Sequence, residues 1–303
     1  MTPQPMFETR QIDEARVSVI VPCHNSAQFI ARTLAALAPE IQAHPDAELL
    51  LVDNNSTDDT WALLHAAASE ANTTTGREAV RVLRAAHGQG VNVARNFGAA
   101  HAQGELLLFT DHDDAVQPGW ISAFRAAHAI GAQIMAGPYA EVSPDGDVVS
   151  EVDGPELHHW DIPYGLGSNS AITRAGFDAI GGFQEHWMGG GDDADFFWRA
   201  HFAGMPMVFV PGARIVHYLR GSDAATFRQY FGYGRSAVRL YAEFCGRGMP
   251  RSSTLRGLAA WPIASGELLL SLFGIGSRHR AWLRLAVRAG RLAESIAQRK
   301  RYL

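Results

Sequence analysis

Short apolar runs alternate with longer segments of helical apolar spacing between residues 17 and 109. Apolar runs bounded by polar breakers predict buried strands, and apolar residues three and four positions apart predict helices. Ser26 begins the first helical segment, where we expect it to act as the N-cap. This alternation predicts a doubly wound, mostly parallel α/β sheet with helices on both faces. The predicted strands are residues 17–22, 48–52, 80–83 and 106–109, the predicted helices are 26–43, 61–70 and 93–101, and a polar loop is predicted at 72–79.

The second half of the chain is less regular and ends in a helical region. Glycine-rich loops interrupt its strands, and the pattern is helical from residue 224 onward. We therefore expect an α/β domain over residues 1–222 and a helical C-terminal appendage over 223–303. The remaining predicted elements are strands at 134–140 and 147–152 with a turn at 143–146 between them, glycine-rich loops at 165–170 and 181–191, a helix at 192–203, and short strands at 207–210 and 215–216.

Three carboxylates, Asp111, Asp113 and Asp114, follow the strand predicted at 106–109. In an open parallel sheet, the ligand crevice lies beyond the carboxyl ends of the strands. Carboxylates crowded there repel one another unless a cation or hydrogen-bond donors lie between them. A divalent ion such as Mg²⁺ fits, because it takes one or two protein carboxylates and completes its shell with water and phosphate oxygens. An acidic loop or helix cap is the alternative interpretation of this segment alone.

Asp53 stands just after the second predicted strand, and short polar residues follow it. A carboxylate in this place can accept hydrogen bonds from a base or a ribose, and a helix-capping loop is the alternative. A dinucleotide site would need a G-x-G-x-x-G turn, but in residues 88–93 a valine, Val93, stands where the third glycine is required. The pattern therefore disfavours a nicotinamide or flavin cofactor.

A second acidic cluster follows the three glycines at 189–191. Asp192, Asp193 and Asp195 fall in the first turn of a predicted helix, where the helix dipole alone would favour one or two of them. Aromatic residues surround this loop, and a carboxylate near an apolar pocket is suited to act as a general base, because burial raises its pKa. His217 follows a short predicted strand and gains a role only if a metal ion is close to it.

In this order, the segments resemble the family two glycosyltransferases, which are inverting enzymes of the GT-A fold. The resemblance covers about residues 15–220. The family usually has glutamate where this chain has Asp192, and Asp-Asp-Gly-Ser where it has Asp-Asn-Asn-Ser at 53–56. The matching segments are Val-Ser-Val-Ile-Val-Pro-Cys-His-Asn at 17–25, Leu-Val-Asp-Asn-Asn-Ser-Thr-Asp-Asp-Thr at 51–60, Gly90-x-x-x-Ala94-Arg95-Asn96-x-Gly98, Ala102-x-Gly104-Glu105, the D-x-D-like Asp111-His112-Asp113, and Asp192-Asp193-x-Asp195, followed by Arg199 and His217.

The resemblance implies the transfer of a sugar from a nucleoside-diphosphate sugar, with a UDP-sugar as the expected donor, to an acceptor hydroxyl with inversion. It implies that Asp193 is the catalytic base. Asp113 and His217 would bind a divalent metal, Mn²⁺ or Mg²⁺, at the two phosphates. The residues implied to bind the nucleotide or donor sugar are Pro22, Asn25, Asp53, Gly90, Arg95, Asp111 and Asp192.

Composition limits the class of protein. With 303 residues, 47% hydrophobic and 19% charged, the chain is globular and can bury a substantial core. Its two cysteines, Cys23 and Cys245, are too few and too far apart for a disulfide framework. The first residues lack the basic start and apolar core of a signal peptide, so we expect a cytoplasmic protein.

The net charge of −5 is unevenly distributed, because residues 251–303 carry +8 and residues 1–250 therefore carry −13. A basic tail on an acidic body predicts an anionic partner, either a membrane or a nucleic acid. We expect a membrane, not a nucleic acid, because residues 278–303 predict a basic amphipathic helix. An ordinary surface helix docked on the body is the alternative. The apolar face of the predicted helix consists of Trp282, Leu285, Ala289, Leu292 and Ile296, and the basic side consists of Arg280, Arg284, Arg288 and Arg291.

These features predict a carbohydrate or lipid-linked acceptor, a role in cell-envelope polysaccharide or glycolipid synthesis, and a location that extends to the inner face of the cell membrane. A soluble small-molecule acceptor and a homo-oligomer stay open. A sugar-phosphate nucleotidyltransferase would need a glycine-rich basic loop after the first strand, which residues 22–26 do not provide. A non-catalytic nucleotide-sugar-binding subunit is disfavoured by the three separate carboxylate sites. Residues 258–276 are apolar but interrupted by Pro262, Gly266 and Glu267, so we expect them not to span a membrane.

Overall fold

The computed structural model describes residues 16–187, 189–219 and 223–302. Strands and helices alternate between residues 17 and 109, as the apolar pattern predicts. The strands of the described residues are β1 (Val17–Cys23), β2 (Glu48–Asp53), β3 (Val80–Arg84), β4 (Leu106–Phe109), β5 (Asp114–Val116), β6 (Ile134–Ala136), β7 (Tyr139–Val142), β8 (Val148–Val152), β9 (Ser170–Thr173), β10 (Met207–Phe209) and β11 (Ile215–Tyr218). The α-helices are α1 (Ile30–Ala43), α2 (Thr60–Thr75), α3 (Val91–His101), α4 (Trp120–Ala129), α5 (Arg174–Ile180), α6 (Asp192–Phe202), α7 (Asp223–Phe244), α8 (Thr254–Ser271) and α9 (Arg278–Ala297).

The strands form two sheets. The larger has seven strands in the order β10-β6-β9-β4-β1-β2-β3, and its neighbours are parallel except for β9, which is antiparallel to both β4 and β6. The smaller sheet has the order β5-β11-β7-β8. The prediction of a mostly parallel α/β sheet is confirmed.

Apolar side chains are buried on both faces of the larger sheet. Along β1, Val19 and Val21 enter one core with α1, α2 and α4, whereas Ile20 enters the other with α3 and α6. At Gly98 of α3, a Cβ atom would lie 2.6 Å from the Cγ2 atom of Ile20. Only glycine therefore allows α3 to pack this closely on the sheet.

The prediction of a single strand at 134–140 is wrong, because the structure has two strands there, which belong to different sheets. Gly137 and Pro138 separate β6 from β7. Proline has no N–H to donate to a ladder. A Cβ atom at Gly137 would lie 1.8 Å from the carbonyl oxygen of Ala213, so the chain passes a neighbouring segment at this break.

Two local predictions in the first half are also wrong. The loop predicted at 72–79 is partly helical, because α2 continues to Thr75 before Gly76, which has a φ of 66°. The hydroxyls of Thr73, Thr74 and Thr75 each donate to the carbonyl four residues earlier, so these polar side chains find their partners within the helix. Ser26 does not cap α1, which begins four residues later at Ile30.

The predicted C-terminal helical appendage is confirmed, and it consists of α7, α8 and α9. Gly234 of α7 and Gly290 of α9 bring these two helices into backbone contact. A Cβ atom at Gly290 would lie 2.1 Å from the carbonyl oxygen of Phe231. The domain boundary between 222 and 223 lies beside residues outside the described ranges and stays a prediction. None of the helices in the described part of the chain is both long and apolar enough to cross a bilayer.

Candidate active site

The D-x-D-like segment forms the turn between β4 and β5, where the chain passes from the larger sheet to the smaller. Helix α1 holds this turn in place, since Thr33 donates its hydroxyl to the carbonyl of His112 over 2.8 Å. The guanidinium of Arg32 donates to the carbonyl of Asp113 over 3.4 Å. The ring of His112 donates to the carbonyl of Pro22 over 3.0 Å, so the ends of β1 and β4 are joined.

Arg95 of α3 connects the two acidic clusters. Its Nη2 atom lies 3.0 Å from Oδ1 of Asp111, and its Nη1 atom lies 3.2 Å from Oδ2 of Asp192. Only 3% of the Arg95 side chain is exposed. Although burial opposes its charge, the two carboxylates raise the pKa of Arg95, so the guanidinium stays charged. Side chains from α3, the β4–β5 turn and α6 therefore meet at one guanidinium.

Asp193 lies next to this contact but accepts a different donor. The backbone N–H of Gly167 donates to its Oδ1 atom over 3.0 Å. A Cβ atom at residue 167 would lie 2.5 Å from the same oxygen, so the approach requires glycine. Burial, and after it the charge of Asp192, raises the pKa of Asp193 to about 8 against the opposing charge of Arg95. The site thus contains a carboxyl group that titrates near neutral pH.

The glycine loop before α6 is held by α7. Gly189, Gly190 and Gly191 all have positive φ, from 83° to 105°, a conformation that L side chains rarely adopt. The hydroxyl of Ser236 donates to the carbonyl of Gly190 over 2.6 Å. The ring of Tyr233 covers Gly190, where a Cβ atom would lie 2.7 Å from the ring. The sequence did not place α7 in the site, because no charged motif marks these residues.

Asp114 and His217 form a pair beside the D-x-D-like turn. They are cross-strand partners in the antiparallel pair of β5 and β11, and their Oδ1 and Nδ1 atoms are 2.7 Å apart. Burial raises the pKa of Asp114, and although burial opposes it, the hydrogen bond to Asp114 raises the pKa of His217. Asp114 belongs to the carboxylate cluster noted in the sequence, but its pairing with His217 depends on strand register and could not be foreseen.

The residues predicted to bind a metal ion are Asp113 and His217. Within the described ranges, no three His, Cys, Asp or Glu side chains group into a metal-binding set. The donors present fit Mn²⁺ or Mg²⁺ if water and diphosphate oxygens supply the remaining ligands. A carboxylate bonded to one ring nitrogen of a metal-binding histidine commonly fixes the ring for coordination through the other, and Asp114 has this relation to His217. The metal-binding roles stay predictions.

The other predicted donor-binding residues surround the carboxyl ends of β1 and β2. Asp53 is fully buried, and its Oδ2 atom accepts from Arg84 over 3.3 Å, while its Oδ1 atom has no hydrogen-bond partner among the described residues. The N–H of Gly90 donates to the side chain of Asn54 over 2.9 Å, which holds the start of α3 against β2. Asn25 has a φ of 48° and accepts from the N–H of Thr57 over 2.9 Å. Pro22 precedes it at the end of β1.

Comparison with known protein families identifies this arrangement. Residues 18–184, more than half of the chain, match the family described as glycosyl transferase family 2. The chain belongs to glycosyl transferase family 2. Residues 156–220 also match the family described as the N-terminal domain of galactosyltransferase, so the second match includes α6 and β11.

Two curated family relatives are similar over much of the chain. Validoxylamine A glucosyltransferase of Streptomyces hygroscopicus subsp. jinggangensis is 28% identical over 228 residues, which are 63% of this chain and 52% of that protein. The succinoglycan biosynthesis protein ExoA of Rhizobium meliloti is 25% identical over 266 residues, which are 83% of this chain and 77% of that protein. The chain thus spans about half the length of the first relative and about three quarters of the second.

Two solved structures share the fold of this chain. The mannosyltransferase PcManGT from Pyrobaculum calidifontis, solved in complex with GDP-Man and Mn²⁺, superposes with a TM-score of 0.61 at 18% identity, covering 97% of this chain and 89% of that chain. Staphylococcus aureus TarS, residues 1–349, has a TM-score of 0.53 at 16% identity, covering 95% of this chain and 93% of that chain. The GT-A fold predicted from the resemblance is confirmed.

Proposed function

We propose that this protein transfers a sugar from a nucleoside-diphosphate sugar, in particular a UDP-sugar, to a hydroxyl group of a carbohydrate or lipid-linked acceptor. The observation that carries the proposal is the position of Arg95 between Asp111 and Asp192. It brings the strand-end carboxylates, which could hold a donor diphosphate through a metal ion, next to the carboxylates of α6, which suit deprotonation of an acceptor. The family match and the name of the succinoglycan biosynthesis relative support sugar transfer in polysaccharide synthesis, and we extend this to cell-envelope polysaccharide or glycolipid synthesis as part of the proposal.

The donor would bind across the ends of β1, β2 and β4. The unpartnered Oδ1 atom of Asp53 is a buried acceptor suited to an N–H of the base. Asp111 and Arg95 would face the ribose or sugar and the phosphates. Asp113 and His217 would hold a divalent metal ion, which neutralises charge on the leaving diphosphate when it is bound. Pro22 near the end of β1, Asn25 in the loop after it and Gly90 just before α3 would border the nucleotide.

Asp193 is the proposed base, which removes the acceptor proton as the oxygen attacks the anomeric carbon with inversion. Asp192 is engaged in an ion pair with Arg95, whereas Asp193 accepts a hydrogen bond from the neutral backbone N–H of Gly167. A carboxyl group with a pKa raised toward neutral pH accepts a proton more readily than an ordinary aspartate. In-line attack gains further from holding acceptor and donor in fixed positions.

Replacement of the proposed metal ligand tests the proposal. Asp113→Ala should abolish sugar transfer and weaken nucleotide-sugar binding in the presence of Mn²⁺, measured by product formation and by isothermal titration calorimetry. Asp145→Ala, in the exposed turn between β7 and β8, is the matched control and should behave like the unmodified protein. Full transfer activity in excess chelator would falsify the metal-dependent mechanism.

A further inference from the structure

Helix α8 and the turn after it present an unusually apolar surface. Helix α8 packs chiefly against α9. In the turn at 272–277, Phe273 is 81% exposed, Leu272 is 62% exposed and Ile275 is 59% exposed. Large contiguous apolar patches are rare on monomeric soluble proteins, and where they occur they mark interaction sites. The exposed apolar side chains of α8 are Leu255, Leu258, Ile263, Leu269 and Leu270.

Helix α9 contributes to this surface because it docks on α7 through a different face. Its buried residues are mostly small, and Gly290 is in backbone contact with α7. This docking leaves part of the apolar stripe seen in the sequence outside. Ile296 is 70% exposed, Leu292 is 40% exposed, and Trp282 is 45% exposed although its ring also contacts Phe227 of α7. Both interpretations of α9 therefore hold, each for a different face of the helix. The face with the small buried residues docks on α7, and the exposed apolar face is free to contact a partner.

The charges around the apolar surface are almost all positive. Residues 257–277 contain a single charged side chain, Glu267, which is paired with Arg284. Arg280, Arg284 and Arg288 follow one another at intervals of one helical turn along α9. They border an open cavity of about 460 Å³ between α7, α8 and α9, whose other walls include Ile263, Leu283 and Val287. Guanidinium groups thus stand beside an apolar crevice.

We propose that the α8–α9 hairpin, residues 254–297, binds an anionic phospholipid bilayer by lying in the boundary between headgroups and acyl chains. Helix α8 and the turn would insert apolar side chains, and the arginines of α9 would contact lipid phosphates, which match guanidinium geometry. The hairpin lies along the surface, since no described helix can cross the bilayer. A symmetric contact between two copies is disfavoured because it would bring two arginine rows together. The inference goes beyond sugar transfer and does not depend on it.

Cosedimentation of the full chain with vesicles tests the proposal. Phosphatidylcholine vesicles that contain phosphatidylglycerol should deplete the protein from solution, and phosphatidylcholine alone should deplete it much less. Phe273→Glu should weaken binding to the anionic vesicles at least about tenfold, because a large apolar side chain no longer leaves water. Arg280→Gln with Arg288→Gln should weaken it about as much, since each basic residue near an anionic surface contributes roughly fivefold.

Ile130→Glu is the matched control for Phe273→Glu. Ile130 is 87% exposed at the end of α4, outside the hairpin, and this variant should bind vesicles like the unmodified protein. Equal binding by Phe273→Glu and the unmodified protein, or equal losses in Phe273→Glu and Ile130→Glu, would overturn the proposal. So would an absence of vesicle binding together with a dimer, seen by light scattering, that Phe273→Glu dissociates.

Discussion

Arg95 unites groups that lie far apart in the sequence. Its forked guanidinium accommodates one carboxylate from the β4–β5 turn and one from α6, which a lysine with its single ammonium group could not do with the same geometry. Removing one partner from a buried ion pair is costly, because the other charge is left without compensation. Loss of Arg95, Asp111 or Asp192 should therefore destabilise the site, in addition to any loss of the separate binding role that the family resemblance implies for each residue.

Asp193→Asn should bind the nucleotide sugar normally and lose about 10²–10⁴ in transfer rate, as expected for loss of a general base. In the unmodified protein, kcat/KM should rise with pH through the raised pKa of Asp193, about 8, because the deprotonated form accepts the proton. Transfer rates of the unmodified protein from pH 5 to 9 check the pH dependence, and isothermal titration calorimetry checks that Asp193→Asn binds the donor normally. If Asp193→Asn transfers sugar at the normal rate and Asp192→Asn is inactive, the base is Asp192 and the assignment to Asp193 is wrong.

The same substitution should stabilise the fold. The folded pKa of Asp193 is raised above its unfolded value of 3.8, so the carboxyl destabilises the folded state increasingly as pH rises from about 4 to about 8. Asp193→Asn removes this cost and keeps an oxygen for the N–H of Gly167. Its Tm should therefore exceed that of the unmodified protein by several degrees at pH 8 and by little at pH 4, as measured by calorimetric scanning. A Tm difference that is the same at both pH values would contradict the raised pKa.

At the scale of elements, local periodicity was sufficient for the regular strands and helices but not for elements defined by distant partners. Strands β1 to β4 are apolar runs in the sequence, and this apolar character is enough to predict that they are buried strands. Strand β9 begins at Ser170, the last residue of the predicted glycine-rich loop at 165–170, and it was not predicted as a strand. It forms because β4 and β6 pair with both of its edges. The pairing of Asp114 with His217 likewise depends on the register of β5 against β11. Helix α2 continues to Thr75, past its predicted end, and it stops where Gly76 adopts a φ of 66°.

The crossing of α7 and α9 predicts opposite effects for two glycine substitutions. Gly290→Ala should destabilise the protein by about 1–3 kcal/mol, because the added methyl group meets the backbone of α7. Gly266→Ala in α8 has nothing within 4 Å of the new Cβ atom and should be neutral or stabilising by up to about 1 kcal/mol. Urea denaturation of both variants measures the difference. Equal stabilities would mean that the two helices do not touch in this way.

At the scale of the whole molecule, the appendage and the α/β domain are joined through α7. One side of α7 holds the glycine loop beside Asp193 through Ser236, and the other packs on α9. Glu294 of α9 accepts hydrogen bonds from Arg235 over 2.6 Å and from Arg239 over 2.8 Å. A continuous set of contacts therefore runs from the proposed membrane-binding hairpin to the proposed base.

Glu294→Gln should loosen α9 from α7 at neutral pH by about 1–3 kcal/mol, as for the loss of hydrogen bonds to charged groups. Burial opposes its ionisation, but bonds from Arg239, Gln298 and Arg235 lower the pKa of Glu294 to about 2. Its contribution is complete above the unfolded pKa of 4.5 and is lost as pH falls from there toward 2. Hydrogen exchange of α9 at pH 7, and denaturation from pH 7 to 3, check this. Glu267→Gln, in an exposed pair, is the control and should have almost no effect.

The position of β9 also sets an order of events during synthesis. It lies between β4 and β6 but is made after both of them and after the two hairpin strands β7 and β8. Until residue 173 has left the ribosome, β4 and β6 each keep an open edge, and an open apolar edge is a site for aggregation. Before β9 is made, these exposed edges favour protection of the nascent chain by chaperones. For the same reason, we expect fragments that end before β9 to be insoluble.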